Sequence, residues 1–218
     1  MQINMKRILV LLALALALVG CKKDKYNFKE ADLVGVWFCT EWVAVDGTSS
    51  SNPDISFEVN PDHTSVFRTY STIPRHMTWA VNGNKLVFSE DAEIKEVTLK
   101  QLDKKHLVWI KHDDSGQEQS SFINLSNLLP GRWKSASLSF GQPDITMDAS
   151  GTSTWVKGDA EPEIIKWSLV FGETFAYPCI KWEGVNVDFA DLFKVTSVTD
   201  DKIIMRSSNT SLVTFTRE

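Results

Sequence analysis

Leu33-Val34-Gly35-Val36-Trp37 is answered 96 residues later by Leu129-Pro130-Gly131-Arg132-Trp133. Four further stretches return in the same order. Pro53-Asp54-Ile55-Ser56 matches Pro143-Asp144-Ile145-Thr146, and Thr64-Ser65-Val66-Phe67 matches Thr152-Ser153-Thr154-Trp155. Met77-Thr78-Trp79 matches Ile165-Lys166-Trp167, and the run from Leu102 to Val108 matches that from Val198 to Ile204. The offsets of these four are 90, 88, 88 and 96. Constant order with small changes in offset means one copied unit with loop insertions and deletions. At ~95 residues the unit is far longer than a solenoid repeat, so the pattern predicts two tandem domains, over 30–125 and 126–218.

Strand signals dominate each unit. Ile55-Ser56-Phe57-Glu58-Val59 alternates apolar and polar, and His106-Leu107-Val108-Trp109-Ile110 is rich in β-branched and aromatic residues. Asn60-Pro61-Asp62-His63 has turn chemistry, and Asn82-Gly83 between two apolar runs signals a hairpin. About eight short strands at intervals of roughly 8–12 residues predict an all-β fold: two tandem small antiparallel meander barrels. The one helix candidate is Asp188-Phe189-Ala190-Asp191-Leu192-Phe193. Ser126-Asn127-Leu128 is too short for a free linker, so the units are expected to pack in a fixed orientation.

Gly-x-Trp opening such a meander resembles the lipocalin pattern, and Gly35-Val36-Trp37 and Gly131-Arg132-Trp133 both carry it. The chain resembles the lipocalin-like domains of lipoproteins from Bacteroidetes-type bacteria, here in tandem. Those domains follow Leu-x-Gly-x-Trp with an Asn-Pro-Asp-Gly-Thr turn and a late Leu-Thr-Asp-Asp turn. The second unit keeps Ser150-Gly151-Thr152 and Val198-Thr199-Asp200-Asp201; the first keeps Asn60-Pro61-Asp62 but has His63 in place of glycine. The resemblance implies a late-strand arginine over the first-strand tryptophan. Arg217 fits that role in unit two, and Asn124 stands at the aligned position in unit one. Each unit is shorter than a full lipocalin, so its interior is either a small ligand compartment or filled by its own side chains.

The N-terminus carries an address. Lys6 and Arg7 precede twelve uninterrupted apolar residues, Ile8 to Val19. As a helix this run is about 18 Å long, short of the ~30 Å hydrocarbon core, and reads as a secretory h-region. Leu18-Val19-Gly20-Cys21 resembles a bacterial lipobox, which implies cleavage after residue 20 and lipidation of Cys21. Residues 21–29 then form a tether bearing Lys22, Lys23, Lys25 and Lys29. The expected location is the cell envelope, as an outer-membrane lipoprotein on its periplasmic or surface face. The membrane would be met through the lipid anchor.

Formal charge is −5 over 218 residues. Residues 30–125 hold 8 cations and 15 acids, net −7; residues 126–218 hold 9 and 12, net −3. An acidic chain without a basic patch argues against nucleic acid. For the first unit, cationic or neutral partners are easier than anionic ones. No Gly-x-Ser-x-Gly elbow, His-Glu-x-x-His, P-loop, Cys-x-x-Cys or EF-hand loop is present, and no cofactor is implied. Three functions fit. The first is non-enzymatic binding of a small apolar ligand, glycan or envelope protein. The second is a protein–protein interaction or inhibitor module with solid barrels. The third, least favoured, is a hydrolase using loop carboxylates.

The repeat serves as a control on the eight tryptophans. Trp37 aligns with Trp133, Trp79 with Trp167, Trp155 with Phe67, Trp182 with Phe88, Trp109 with Met205 and Trp42 with Leu138. All partners are apolar, which favours core. Trp42 and Trp109, whose partners are not aromatic, are the functional candidates. Arg75 and His76 join them, in an expected loop from Ser71 to His76 at the barrel mouth. His63 takes a turn position suited to positive φ. His106 is expected in a solvated turn, and Glu90, Asp91 and Glu93 in a solvated loop. His112-Asp113-Asp114 lacks a second histidine at ligand spacing. Cys39 and Cys179 are either free and buried or bridged between the units.

Overall fold

The computed structural model describes residues 28–69, 73–90, 93–135, 143–171, 177–184, 190–207 and 212–218. The signal segment, Cys21 and most of the tether lie outside them, as does Leu138. The chain forms two antiparallel barrels in tandem, each closed by eight strands.

One helical turn, α1 (Glu30–Leu33), leads into β1 (Gly35–Val43). Then follow β2 (Ser49–Ser51), β3 (Ile55–Val59), β4 (Thr64–Thr69), β5 (Arg75–Asn82), β6 (Lys85–Glu90), β7 (Glu93–Leu102), β8 (His106–Asp113) and β9 (Gly116–Asn124). β1 closes the barrel by pairing with β9 along one edge. Along the other it pairs first with β3 and, past a bulge between Cys39 and Glu41, with the extra strand β2. A second helical turn, α2 (Leu125–Leu128), opens the second barrel. Its strands are β10 (Gly131–Ser135), β11 (Asp144–Met147), β12 (Thr152–Val156), β13 (Glu163–Phe171), β14 (Pro178–Gly184), β15 (Ala190–Val198), β16 (Lys202–Ser207) and β17 (Leu212–Arg217).

The duplication is visible in hydrogen bonds. Trp37 Nε1 donates to the Leu33 carbonyl at 2.6 Å, and Trp133 Nε1 to the Leu129 carbonyl at 2.8 Å. Trp79 Nε1 reaches the Asn60 carbonyl and Trp167 Nε1 that of Asp148, both at 3.1 Å. Trp37 pairs with Phe57 and Trp133 with Ile145, so Phe57, not Ile55, is the true counterpart of Ile145. The aligned Pro-Asp-Ile stretches are thus slipped by two residues, which keeps the inward face. His63 has φ 64° at the turn where Gly151 has φ 88°, as its position predicted. The hairpin after Trp79 turns on Gly83-Asn84, between paired Asn82 and Lys85.

Three sequence expectations fail. The helix candidate at 188–193 is a strand from Ala190 onward, β15; its first residues lie outside those described. Apolar Leu192 and Phe193 alternate across a sheet, and tertiary pairing wins over a short helical signal. The helical turns are instead α1 and α2, ahead of each Gly-x-Trp. Arg75 and His76 are not in a loop but begin β5, paired with β4. His106 is not simply solvated: its Nε2 lies 2.8 Å from Asp200 Oδ1 of the second barrel, and its Nδ1 3.2 Å from Asp103.

The barrels share a packed joint. Val36, Phe38 and Ile123 leave the outer wall of the first barrel and, with Leu125, Leu128 and Leu129, join the apolar cluster of the second. The Arg68 guanidinium sits 3.7 Å above the Phe171 ring, and Ser126 Oγ accepts from Val36 N at 3.1 Å. Burying both faces of β1 over Val36-Trp37-Phe38-Cys39 gives the joint its apolar content.

Candidate functional site

Both barrel interiors are rich in packed aromatic rings. In the second, Trp155 and Trp182 meet edge to face at 5.2 Å, and Trp182 packs on Phe193 at 5.1 Å. The first contains a cavity of about 600 Å³. That lies within the ~300–1,000 Å³ of small-molecule sites.

The cavity floor is aromatic. Trp109 lies 5.1 Å from Phe57 and 4.4 Å from Phe122, and Phe67, Met77, Phe88 and Val97 line the walls. These side chains alternate inward along β4 to β9, as strand geometry requires. Trp42 joins them for a different reason. Trp37 and Cys39 point inward, so uninterrupted alternation would send Trp42 outward. The bulge between Cys39 and Glu41 adds one residue and turns Trp42 back inside, opposite Ser120.

The mouth is charged. Arg75, at the start of β5, forms ion pairs with Glu90 and, at 2.8 Å, with Glu93. Lys95 approaches Glu93 at 3.5 Å, and Lys111 approaches Asp113 at 3.0 Å and Glu118 at 3.4 Å. Hydrogen bonds from Ser115 and Lys111 pull the Asp113 carboxyl down to about 2, and Arg75 holds Glu93 below the usual carboxylate range. Glu90 and Glu93 are therefore not in a merely solvated loop; they flank Arg75 from the facing ends of β6 and β7.

Of the four predicted binding residues, Trp42, Arg75 and Trp109 line the cavity. His76 does not. It is exposed on the outer face of β5, because Arg75, Met77 and Trp79 take the inward positions. Trp109 is both core and site, 7% exposed and facing the cavity. Sequence reading missed Lys95, Lys111, Glu118 and Ser120. The repeat itself carried the signal, since Lys111 corresponds to Ser207 and Ser120 to Val213. Arg75 likewise corresponds to Glu163.

Cys39 and Cys179 are free and buried. Burial pushes the Cys39 thiol up to about 12. Among the described residues no cluster of three or more metal-ligating side chains occurs, and no helix is long and apolar enough to cross a membrane. No protein-family model and no curated protein sequence matches the chain.

Proposed function

We propose that this chain is a non-enzymatic lipoprotein of the bacterial envelope, with two lipocalin-like barrels tethered through lipidated Cys21. The first barrel binds a small, largely apolar molecule. The second packs against it as a support. The observation that carries the reading is the aromatic-floored cavity of about 600 Å³ in the first barrel. The address rests on the N-terminal sequence alone: Lys6-Arg7, the apolar run and Gly20-Cys21. A single acyl chain anchors only marginally, so the multiple acylation that a lipobox implies is what would hold the protein.

Native mass spectrometry of the gently purified protein tests binding; a bound small molecule at sub-stoichiometric or full occupancy is expected. Membrane fractionation of Cys21→Ser tests the anchor. The variant is expected in the soluble fraction, and normal processing with membrane retention contradicts lipidation. A second reading, docking of an envelope protein, is favoured by one observation. Ile73 and Ile94, at the mouth end of the first barrel, are 87% and 72% exposed. Capture of a partner lost on replacing both with serine distinguishes that reading.

A further inference from the structure

We infer that the ligand of the first barrel is an organic cation with an apolar body, such as an alkylammonium or quaternary ammonium compound, rather than a fatty acid or other anionic amphiphile. The inference rests on the first barrel being the binding compartment, and it adds the sign of the ligand's charge. Two independent features of the site support it.

The first is the electrostatics of the mouth. Arg75, Lys95 and Lys111 are the cations on the inner rim, and each is already held by carboxylates from Glu90, Glu93, Asp113 or Glu118. Glu96, also at the lining, is matched by Lys85 at 2.7 Å. Asp46 and Asp114, in the turns that follow β1 and β8, stand at the same end of the barrel and form no ion pair among the described residues. Three cations therefore meet six acids, a net of −3. An anionic head entering here would have to break existing pairs and face uncompensated carboxylates. A cationic head joins carboxylates already in place.

The second feature is the wall. The cavity presents the rings of Trp42, Phe67, Phe88, Trp109 and Phe122. Indole and phenyl faces carry negative quadrupole density and attract desolvated cations, tryptophan most strongly. Ser120 adds a hydroxyl. It is 7% exposed, it lines the cavity, and no hydrogen bond to its side chain is formed among the described residues. The matching position in the second barrel is Val213. A polar atom on an otherwise apolar wall is placed for a ligand rather than for packing.

Isothermal titration of the full mature chain with three probes of equal chain length tests the inference. The probes are decyltrimethylammonium, decanoate and decyl maltoside, each below its micellar concentration. At low ionic strength the ammonium probe is expected to bind at least tenfold more tightly than decanoate. The advantage should shrink several-fold at high salt, as screening of the rim requires. Glu118→Gln should weaken the ammonium probe severalfold more than it weakens decyl maltoside, and circular dichroism of the variant checks its folding. Decanoate binding as tightly as the ammonium probe overturns the assigned charge but leaves the cavity as a binding site. Failure of all three probes to bind overturns both.

Discussion

Trp42 faces Ser120 across the seam that closes the first barrel, and it does so because the bulge between Cys39 and Glu41 reverses its side. Trp37, five residues earlier, is fully buried against Phe57, 6.2 Å between ring centres. The two tryptophans of one strand thus have different surroundings, one lining the cavity and one packed in the core. Trp42→Ala should abolish or strongly weaken ligand binding at a cost of about 1 kcal/mol or less in stability. Trp37→Ala should cost about 3–5 kcal/mol. Urea unfolding and titration calorimetry on both variants check the split. Deleting Thr40 to remove the bulge should mimic the binding loss of Trp42→Ala.

In the second barrel Arg217 packs over the first-strand tryptophan. Its guanidinium lies 4.5 Å from the centre of the Trp133 ring and donates to the carbonyls of Leu128 and Pro130. Gly131, at φ 141°, leaves room for it; a Cβ there would stand 2.7 Å from Nη1. Gly131→Ala should therefore destabilise the protein by about 2 kcal/mol through backbone strain and crowding. In the first barrel Asn124 takes the place of the arginine, donating to the Val34 carbonyl at 3.1 Å. Asn124→Ala should cost about 1 kcal/mol, since it removes the hydrogen bond to the half-buried Val34 carbonyl. Chemical denaturation measures both.

Phe38 is buried in the joint, 1% exposed, on the outer wall of its own barrel. The intact chain is expected to unfold in one transition and to tumble as one body in NMR relaxation. Phe38→Ser should uncouple the barrels and split thermal unfolding into two transitions, seen by calorimetry. A variant that still melts as one unit would mean that α2 alone couples them.

Cys39 supplies a pH signature. In the unfolded chain its thiol titrates near the ordinary value of 9, and in the folded protein only near about 12, because burial disfavours the thiolate. Between those values the folded state keeps a proton that the unfolded state loses. The contribution is intact below pH 9 and is lost progressively as pH rises to 12. Cys39→Ala should flatten the alkaline fall in stability relative to the parent. Alkylation of native protein at pH 8 should be slow, and in urea complete at both Cys39 and Cys179.

The repeat made the fold legible. Gly-x-Trp, the turn at Asn60-Pro61-Asp62-His63 and the Asn-Gly hairpin are local signals with local causes, and they located the strands. The site was only partly legible. Trp42 and Trp109 stood out because their copies were not aromatic, and both line the cavity. Arg75 was found for an inexact reason, since a strand start was read as loop, and His76 fell on the wrong face. Alternation separates neighbours such as these two only once the strand's first residue is known. The ion pairs of Arg75 join β5 to β6 and β7 and have no signature in spacing. The outward Val36, Phe38 and Ile123 read as ordinary strand residues, because a joint between domains depends on the partner's surface.

The most direct test of the account is residue-resolved NMR of the mature chain titrated with decyl maltoside, whose neutral head leaves the charge assignment aside. Saturable shifts confined to the first barrel are predicted, largest at Trp42, Phe67, Phe88, Trp109 and Ser120, with Trp155 and Trp182 unmoved. Shifts centred on the second barrel, or none that saturate, would contradict the assignment of the first barrel as the binding compartment.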